Sequence, residues 1–559
     1  MQQFAELVMV NGQVLPMVDD GSGPGPSAIA IRAGKITMVG SDGDVLAQAG
    51  PDTRVVDAAG GAVIPGINDA HLHFIASSMV GFGYLGVGSA ESWAGVRSMI
   101  DSAEPGADGW IRAHGWDEVL IGPEHGELLD ARPDVAVVAF DKTGHQLLAN
   151  RAAMAAAGIT AGTADVPGGV VARLTDGSPR GLFKDGAMEL ISRALPPVPV
   201  ETLRRSALSM QSLLHQQGIT SLTEPGLGPA SAGLLDGTGS TAALKLLGDL
   251  AVAGELSLRM NVLLLFAGTG GVSAEAVADG LASGLATHYT DRGIDERLLR
   301  IAGIKVFADG IPRSGTAWMS EPYGDACKHG SLVVRGGSDA ERVAELGNIL
   351  ELIDIAGLQA GIHATGDAAT EAAVEALIAR TDTVARRHYI IHGSFSSHRT
   401  LDTMAARTIG YSTNPLIRSM AGDAMRSILG EERFERHQPL HSASIAGVHF
   451  NLASDSPVAS TDWRRTVISA VERSTRTRPG RKDDPERISG TQALAAMTSQ
   501  AAWQDHADHF KGSLRAGMAA DLCLLAEGWP DDGNIGALAE NDVLMTVSGG
   551  RVVHDATGN

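Results

Sequence analysis

From about residue 219 to residue 455 the chain alternates short apolar runs with amphipathic stretches, and this alternation constrains the fold more than any other feature. The runs are GITSLTEPG, LRMNVLLLFAG, LRIAGIKVFADG, LQAGIHATGD, RHYIIHGSF, RTIGYSTNP and VHFNLASDSPV, with segments such as DAATEAAVEALIARTDTVARR between them. Repeated strand–helix units predict a parallel sheet, and this many of them predict an α/β fold of the (β/α)₈ TIM-barrel type. An open doubly wound sheet is the alternative, but no glycine-rich phosphate loop follows the first strand to support it.

The two ends have a different texture. AELVMV, the Asn11-Gly12 turn, QVLPMV, SAIAIRAGKITMVG and TRVVDAAGGAVI read as short strands joined by tight turns. The C-terminus returns to the same pattern in GSLRAGMAADLCLLAEG and DVLMTVSGGRVVHDA. A chain of 559 residues needs two or three folding units. Residues 1–63 and 512–559 are therefore expected to meet as one β domain around a barrel spanning 64–511. From about 110 to 193 the barrel alternation fails. WIRAHGWDEVL, VAVVAFDKTGHQLLAN and GGVVARLTDGSPRGLF are β-like and turn-rich, which suggests an insertion after the first barrel strand, roofing the catalytic face.

The formal net charge of −21 argues against nucleic acid or an anionic membrane as partner. Cys327 and Cys523 form neither a disulfide framework nor a zinc-type pair. The N-terminal segment lacks the pattern of a signal peptide, and no apolar stretch is long enough for a bilayer. The expectation is a cytoplasmic protein acting on a small molecule, and a homo-oligomer is compatible with it.

Histidines and carboxylates gather at the ends of the apolar runs. His71 and His73 follow GAVIPGINDA; on a strand, residues two apart share a side and can face one metal. His363 ends LQAGIHATGD, His392 ends RHYIIHGSF, and Asp455 closes VHFNLASDSPV. His363 or His392 alone is better read as a structural residue, whereas the His71–His73 pair already favours a metal. Several at successive strand tips, where barrels place their active sites, point to a metal centre. Imidazole and carboxylate ligands with open positions suit catalytic zinc, which lowers the pKa of bound water; Asp455 would then carry its proton to a leaving group. Lys305, in LRIAGIKVFADG, is a cation in a doubly covered strand. It is either paired with a carboxylate such as Asp309, or a neutral amine that has taken up carbon dioxide to bridge two metals as a carbamate.

These motifs together resemble amidohydrolase family 3 of the amidohydrolase superfamily, in the branch of the N-substituted formamide deformylases. PGINDAHLHF, GIKVFADG, GIHATGDAA, YIIHG and ASDSPV resemble the family's metal motifs in order, and GSLRAGMAADLCLL resembles its closing β segment. The insertion matches through GWDE, GHQLLAN (with His145 and Asn150) and PGGVVARLTDGSPRGLF. The resemblance implies a β-sandwich built from both termini and a barrel carrying one or two divalent, zinc-like ions. It makes His71, His73, His363 and His392 ligands, Lys305 a carboxylated bridging lysine, and Asp455 a ligand and proton carrier. It departs after the lysine strand, where Gly315 stands at the family's arginine position and Arg313 lies two residues earlier. The insertion's usual glutamate is matched by Asp185. Trp116, Asp117, His145, Asp185 and Arg313 are the candidate substrate contacts; packing and structural hydrogen bonds are the plainer readings of Trp116 and His145.

The activity these features imply is hydrolysis of an amide, N-acyl or N-formyl C–N bond by metal-activated water. Lactone, ester or C–C hydrolysis would use the same machinery. Deamination fits less well, because His363-Ala364-Thr365-Gly366-Asp367 lacks a deaminase-type glutamate. A non-catalytic scaffold would have shed ligands that this chain keeps.

Overall fold

The computed structural model describes residues 4–18, 25–123, 125–166, 169–229, 240–268, 272–324 and 328–558. Eight strands form one parallel sheet in chain order: β1 (Ile67–Asp69), β2 (Ile219–Leu227), β3 (Arg259–Leu264), β4 (Leu299–Phe307), β5 (Gln359–Ala364), β6 (Tyr389–His392), β7 (Gly410–Thr413) and β8 (Phe450–Leu452). Each run picked out above became a strand because a parallel strand covered on both faces is apolar throughout. Ile304, Val306, Ile362 and Ile390 pack outward against Leu346, Ile349, Leu350, Val374 and Leu377 of the surrounding helices. Those helices start where the sequence offers caps. Ser338 and Glu341 form a capping box at helix Asp339–Ile355, and Pro415 opens helix Pro415–Leu429. Gly303 lets β4 and β5 approach closely, since a Cβ there would sit 1.9 Å from the Gln359 carbonyl oxygen.

The barrel is nearly closed. Among the described residues β1 and β8 do not pair; helix Ser499–Gln504 and the residues beside it fill the seam instead. Asn68 N donates to Met497 O (2.9 Å) and Asn68 Nδ2 to Asp505 Oδ2 (2.7 Å). Asn451 Nδ2 donates to Gln504 Oε1 at 2.6 Å. Above this plug, Ser454 N donates to Asp69 Oδ1 (3.1 Å) and Asp455 N to His71 O (2.8 Å), which joins the two strand ends at the mouth.

GAVIPGINDA divides at Gly66. Ala62–Pro65 joins a five-stranded sheet with Gln13–Val14, Leu522–Leu525, Val543–Ser548 and Arg551–Asp555, whereas Ile67–Asp69 opens the barrel. The division depends on a close approach, because a Cβ on Gly66 would lie 2.2 Å from Thr220 Oγ1. The second terminal sheet holds Lys35–Gly40, Ala28–Arg32, Leu7–Val10 and Arg54–Asp57. Leu7, Met9, Ile29 and Ile31 from one sheet share a core with Val63, Leu522, Leu524, Met545 and Val547 from the other. Cys523 is buried, and Cys327 lies outside the described residues.

The inserted sheet has six strands: Leu85–Gly86, Trp110–Trp116, Ala136–Asp141, Gln146–Ala149, Gly169–Arg173 and Pro179–Asp185. It thus begins ahead of residue 110, because Leu85 pairs in parallel with Ala113. Two residues carry too little pattern to be read as a strand. No helix is long and apolar enough to cross a membrane among the described residues.

Candidate metal centre

β1 ends at Asp69, so His71 and His73 lie not on the strand but in the turn beyond it, with His73 at the N-cap of helix Phe74–Phe82. A pinned turn, rather than strand alternation, turns both rings one way. Leu72 N donates to Thr223 O (3.0 Å), and His73 N donates to Ser456 O (3.0 Å). Asp69 Oδ1 accepts from His71 N, and Glu224 Oε2 on β2 accepts from Ile75 N at the helix start.

The rings converge on Asp455. Nε2 of His71 and of His73 lie 3.2 and 3.4 Å from the same Asp455 oxygen, and all three side chains are buried. One donor atom from each lies within 4.8 Å of the others. Both ring nitrogens of His71 and Nδ1 of His73 lack a partner with hydrogen-bond geometry. Buried polar atoms are normally satisfied, and ligand bonds of about 2 Å from these positions can meet at one ion. The donor set fits a divalent metal.

The other expected residues stand alongside. Ring centroids are 5.6 Å apart for His71–His392 and 4.7 Å for His363–His392. His392 Nδ1 lies 2.7 Å from Asn414 Oδ1, while Asn414 Nδ2 donates to Ala453 O. The amide orientation follows from that second bond, so His392 carries its proton on Nδ1 and offers Nε2 as a lone pair. His363 Nε2 donates to Gly310 O at 3.1 Å, leaving Nδ1 free to bind. Lys305 is 4% exposed, with Nζ 5.0 Å from the Phe307 ring centre. Its charge bears on His71, His363 and His392.

Burial dominates the electrostatics. It holds His71 well below the ordinary histidine range, with Lys305 adding to the effect, and does the same to His363 with His392 and Lys305. His392 is pulled down to about 4 by burial. Burial alone would raise Asp455, but the His71 and His73 imidazoles against it hold it well below the carboxylate range. Burial raises Asp69 to about 6 and Glu224 and Asp309 to about 7. Asp309 accepts from the backbone N–H of Thr365, Gly366 and Trp318 and so clamps the loops after β4 and β5.

These shifts set a pH dependence. His114, His125, His215, His388 and His392 all fall to about 4, with burial the leading cause. Unfolded imidazoles titrate near 6.5, so between these values the unfolded chain binds more protons and acid favours it. Asp69, Asp141, Glu224 and Asp309, all raised by burial, act in the opposite direction, Glu224 and Asp309 across the whole window, but they are fewer. The metal-free protein is expected to be most stable above about pH 6.5 and to lose stability steadily toward pH 4.5. Urea midpoints across that range check this, and a flat or rising midpoint on acidification contradicts it.

The roof residues separate. Trp116, expected at the substrate, is a core residue of the insertion: it is 2% exposed, packs on Trp93, and donates Nε1–H to Ala139 O. Its contacts with Trp93 and the buried apolar residues of the insertion, Val137, Ala139 and Leu148, make it a packing residue. Trp116→Ala is expected to cost about 3–5 kcal/mol of stability, measurable by denaturant unfolding; a loss under about 1 kcal/mol would contradict the packing role. Asn150 is likewise structural, capping helix Arg151–Ala156. Asp117 contacts Lys142 and lies 4.0 Å from Arg313. His145 lies in the loop before Gln146–Ala149, its backbone N–H donating to Thr143 Oγ1, and the Asp117–Arg313 approach brings the insertion against the turn that follows β4. The Asp185 side chain lies outside the described residues. Sequence reasoning missed Asp69, Glu224 and Asn414. Glu224 did carry a signal, as a carboxylate within an apolar run.

Several known proteins resemble the chain along its length. It is 28% identical over 567 residues to Protein LONG AFTER FAR-RED 3 of Arabidopsis thaliana, covering 98% of this chain and 92% of that one. It is 26% identical to N-substituted formamide deformylase of Arthrobacter pascens, covering 100% of both. An uncharacterized metal-dependent hydrolase from Pyrococcus horikoshii shares the fold with a TM-score of 0.73 at 22% identity, over 94% of this chain and 99% of that one. Residues 54–554 match the sequence profile of the Amidohydrolase family, and the chain belongs to that family of hydrolases.

Proposed function

We propose that the chain hydrolyses a C–N bond in a small amide, N-acyl or N-formyl compound. One or two divalent ions, zinc by donor type, would be held by His71, His73, His363, His392 and Asp455, with a carboxylated Lys305 between them. The observation that carries this reading is the buried convergence of His71, His73 and Asp455. The full-length similarity to a formamide deformylase supports the C–N bond.

A divalent ion bound there supplies an acidified water and polarises the scissile carbonyl. Asp455, held well below the carboxylate range, would both help hold the ion and be the group placed to take a proton from that water and return it to the departing nitrogen. Asn414 fixes which nitrogen His392 presents. The inserted sheet, which meets the turn after β4 at Asp117 and Arg313, would limit bulk water around the reacting carbonyl.

The test is a screen of N-acyl, N-formyl, carbamate and lactone compounds on metal-replete and chelator-treated protein. Turnover of C–N substrates that chelation abolishes and zinc restores is the expected result. Turnover of lactones alone would replace the C–N assignment. Asn414→Leu is expected to weaken zinc binding about 10–100-fold while Asn414→Asp retains it, measured by competition with a chromophoric chelator. Equal affinity in all three proteins would remove Asn414 from the site's support.

A further inference from the structure

Where the inserted sheet meets the barrel, two cations share one buried carboxylate. Asp117, just past the inserted strand Trp110–Trp116, has a side chain only 5% exposed and is bonded through Oδ2 to Lys142 Nζ. Arg313 approaches the other oxygen, but its Nη2 stops 4.0 Å away. Among the described residues the Arg313 guanidinium makes no hydrogen bond, and its side chain is 26% exposed. Lys142 already balances Asp117. The charge of Arg313 and its planar fork of donors are surplus to that pairing.

The position of this surplus cation is well defined. Arg313 lies in the turn Pro312–Ser314, which Gly315 closes at φ 67° and Thr316 holds by bonding its Oγ1 to Ile311 N. The turn starts at Gly310, whose carbonyl accepts from His363 Nε2. On the opposite wall, the loop that carries Lys142 also carries His145, between strands Ala136–Asp141 and Gln146–Ala149. Arg313 thus lies on the turn that begins at the carbonyl bonded to His363, on the seam between the inserted sheet and the barrel.

Resting on the hydrolase reading above, we propose that Arg313 recognises a carboxylate on the substrate. The substrates are then N-acyl or N-formyl compounds that also bear an acid group, of the acylated amino-acid type, rather than neutral amides. A guanidinium binds a carboxylate through two parallel N–H···O bonds, and a contact as loose as the one to Asp117 is exchanged at little cost. Asp117 keeps its Lys142 partner throughout, so no buried charge is stranded. The chain's net charge of −21 would otherwise repel an anionic substrate, and a fixed cation at the mouth reverses the local sign.

The test uses the full-length metal-replete protein and the N-formyl and N-acetyl derivatives of glycine, leucine and phenylalanine, each as free acid and as C-terminal carboxamide. The acids are expected to be preferred about 10–100-fold in kcat/KM, mainly through KM. The preference should fall toward unity in Arg313→Met and recover partly in Arg313→Lys. Acids not preferred in the unmodified protein, or a preference untouched in Arg313→Met, overturns the proposal and leaves the hydrolase reading intact. Thermal stabilisation of chelator-treated protein by the same compounds reads binding without turnover. Stabilisation by the acids alone, lost in Arg313→Met, is the expected result there; equal stabilisation by acids and carboxamides overturns the proposal. An acid-specific shift without turnover of either series would instead overturn C–N hydrolysis and leave the role of Arg313 standing.

Discussion

Asp455→Asn is expected to lower kcat by about 10²–10⁴-fold, because on the proposed mechanism it removes the proton acceptor while keeping the side chain's shape. The carboxylate is buried, yet it is held ionised by the two imidazoles against one of its oxygens. An amide there cannot take the proton, and its neutral oxygen is a poorer donor to a cation, so metal affinity should fall as well. Burst experiments at saturating zinc separate the two effects, since occupancy is restored but proton transfer is not. Turnover within about threefold of the unmodified protein at full occupancy would move the proton-carrying role to another residue, with the buried carboxylates Asp69, Glu224 and Asp309 the ones to test.

Lys305 gives a prediction whose sign is diagnostic. An ammonium beside a divalent ion is repelled by on the order of 5 kcal/mol at a moderate effective dielectric. The same charge is one of the influences holding His71, His363 and His392 down. If Lys305 remained a plain ammonium, Lys305→Ala would relieve both effects and metal would bind more tightly. If it is carboxylated, the same substitution deletes an anionic ligand, so metal and activity are lost together and a small added carboxylate restores part of each. The second result is expected. Zinc affinity of Lys305→Ala with and without acetate decides the matter, and tighter binding would overturn the bridging role.

Much of the barrel was legible because its signal is local. Seven apolar runs became strands, and four of them end in the histidine, carboxylate or lysine segments that form the site. The division of GAVIPGINDA at Gly66 was not legible, since it is imposed by Thr220 from β2 rather than by neighbouring residues. His71 and His73 were found through strand alternation, although a turn held by Thr223 and Ser456 presents them. Trp116 misled because a buried aromatic in a roof looks the same in sequence whether it faces the ligand or its own sheet. Asn414 stayed hidden because a lone amide announces nothing until its acceptor is seen against His392. Arg313 stood out only through its displacement from the family pattern; its pairing across the seam needed the fold.

The strand Ala62–Pro65 has every residue buried and takes Leu522–Leu525 as its antiparallel partner. During synthesis that partner emerges only after the whole barrel has been made, which at roughly 5–20 residues per second means a wait of tens of seconds. Throughout that interval the nascent chain presents an apolar strand with an open edge, the type of surface on which other chains pair. The terminal sandwich therefore cannot act as a nucleus for the rest; it is the last piece to lock. A chain released a few dozen residues early would carry a completed metal pocket on a molecule prone to aggregate.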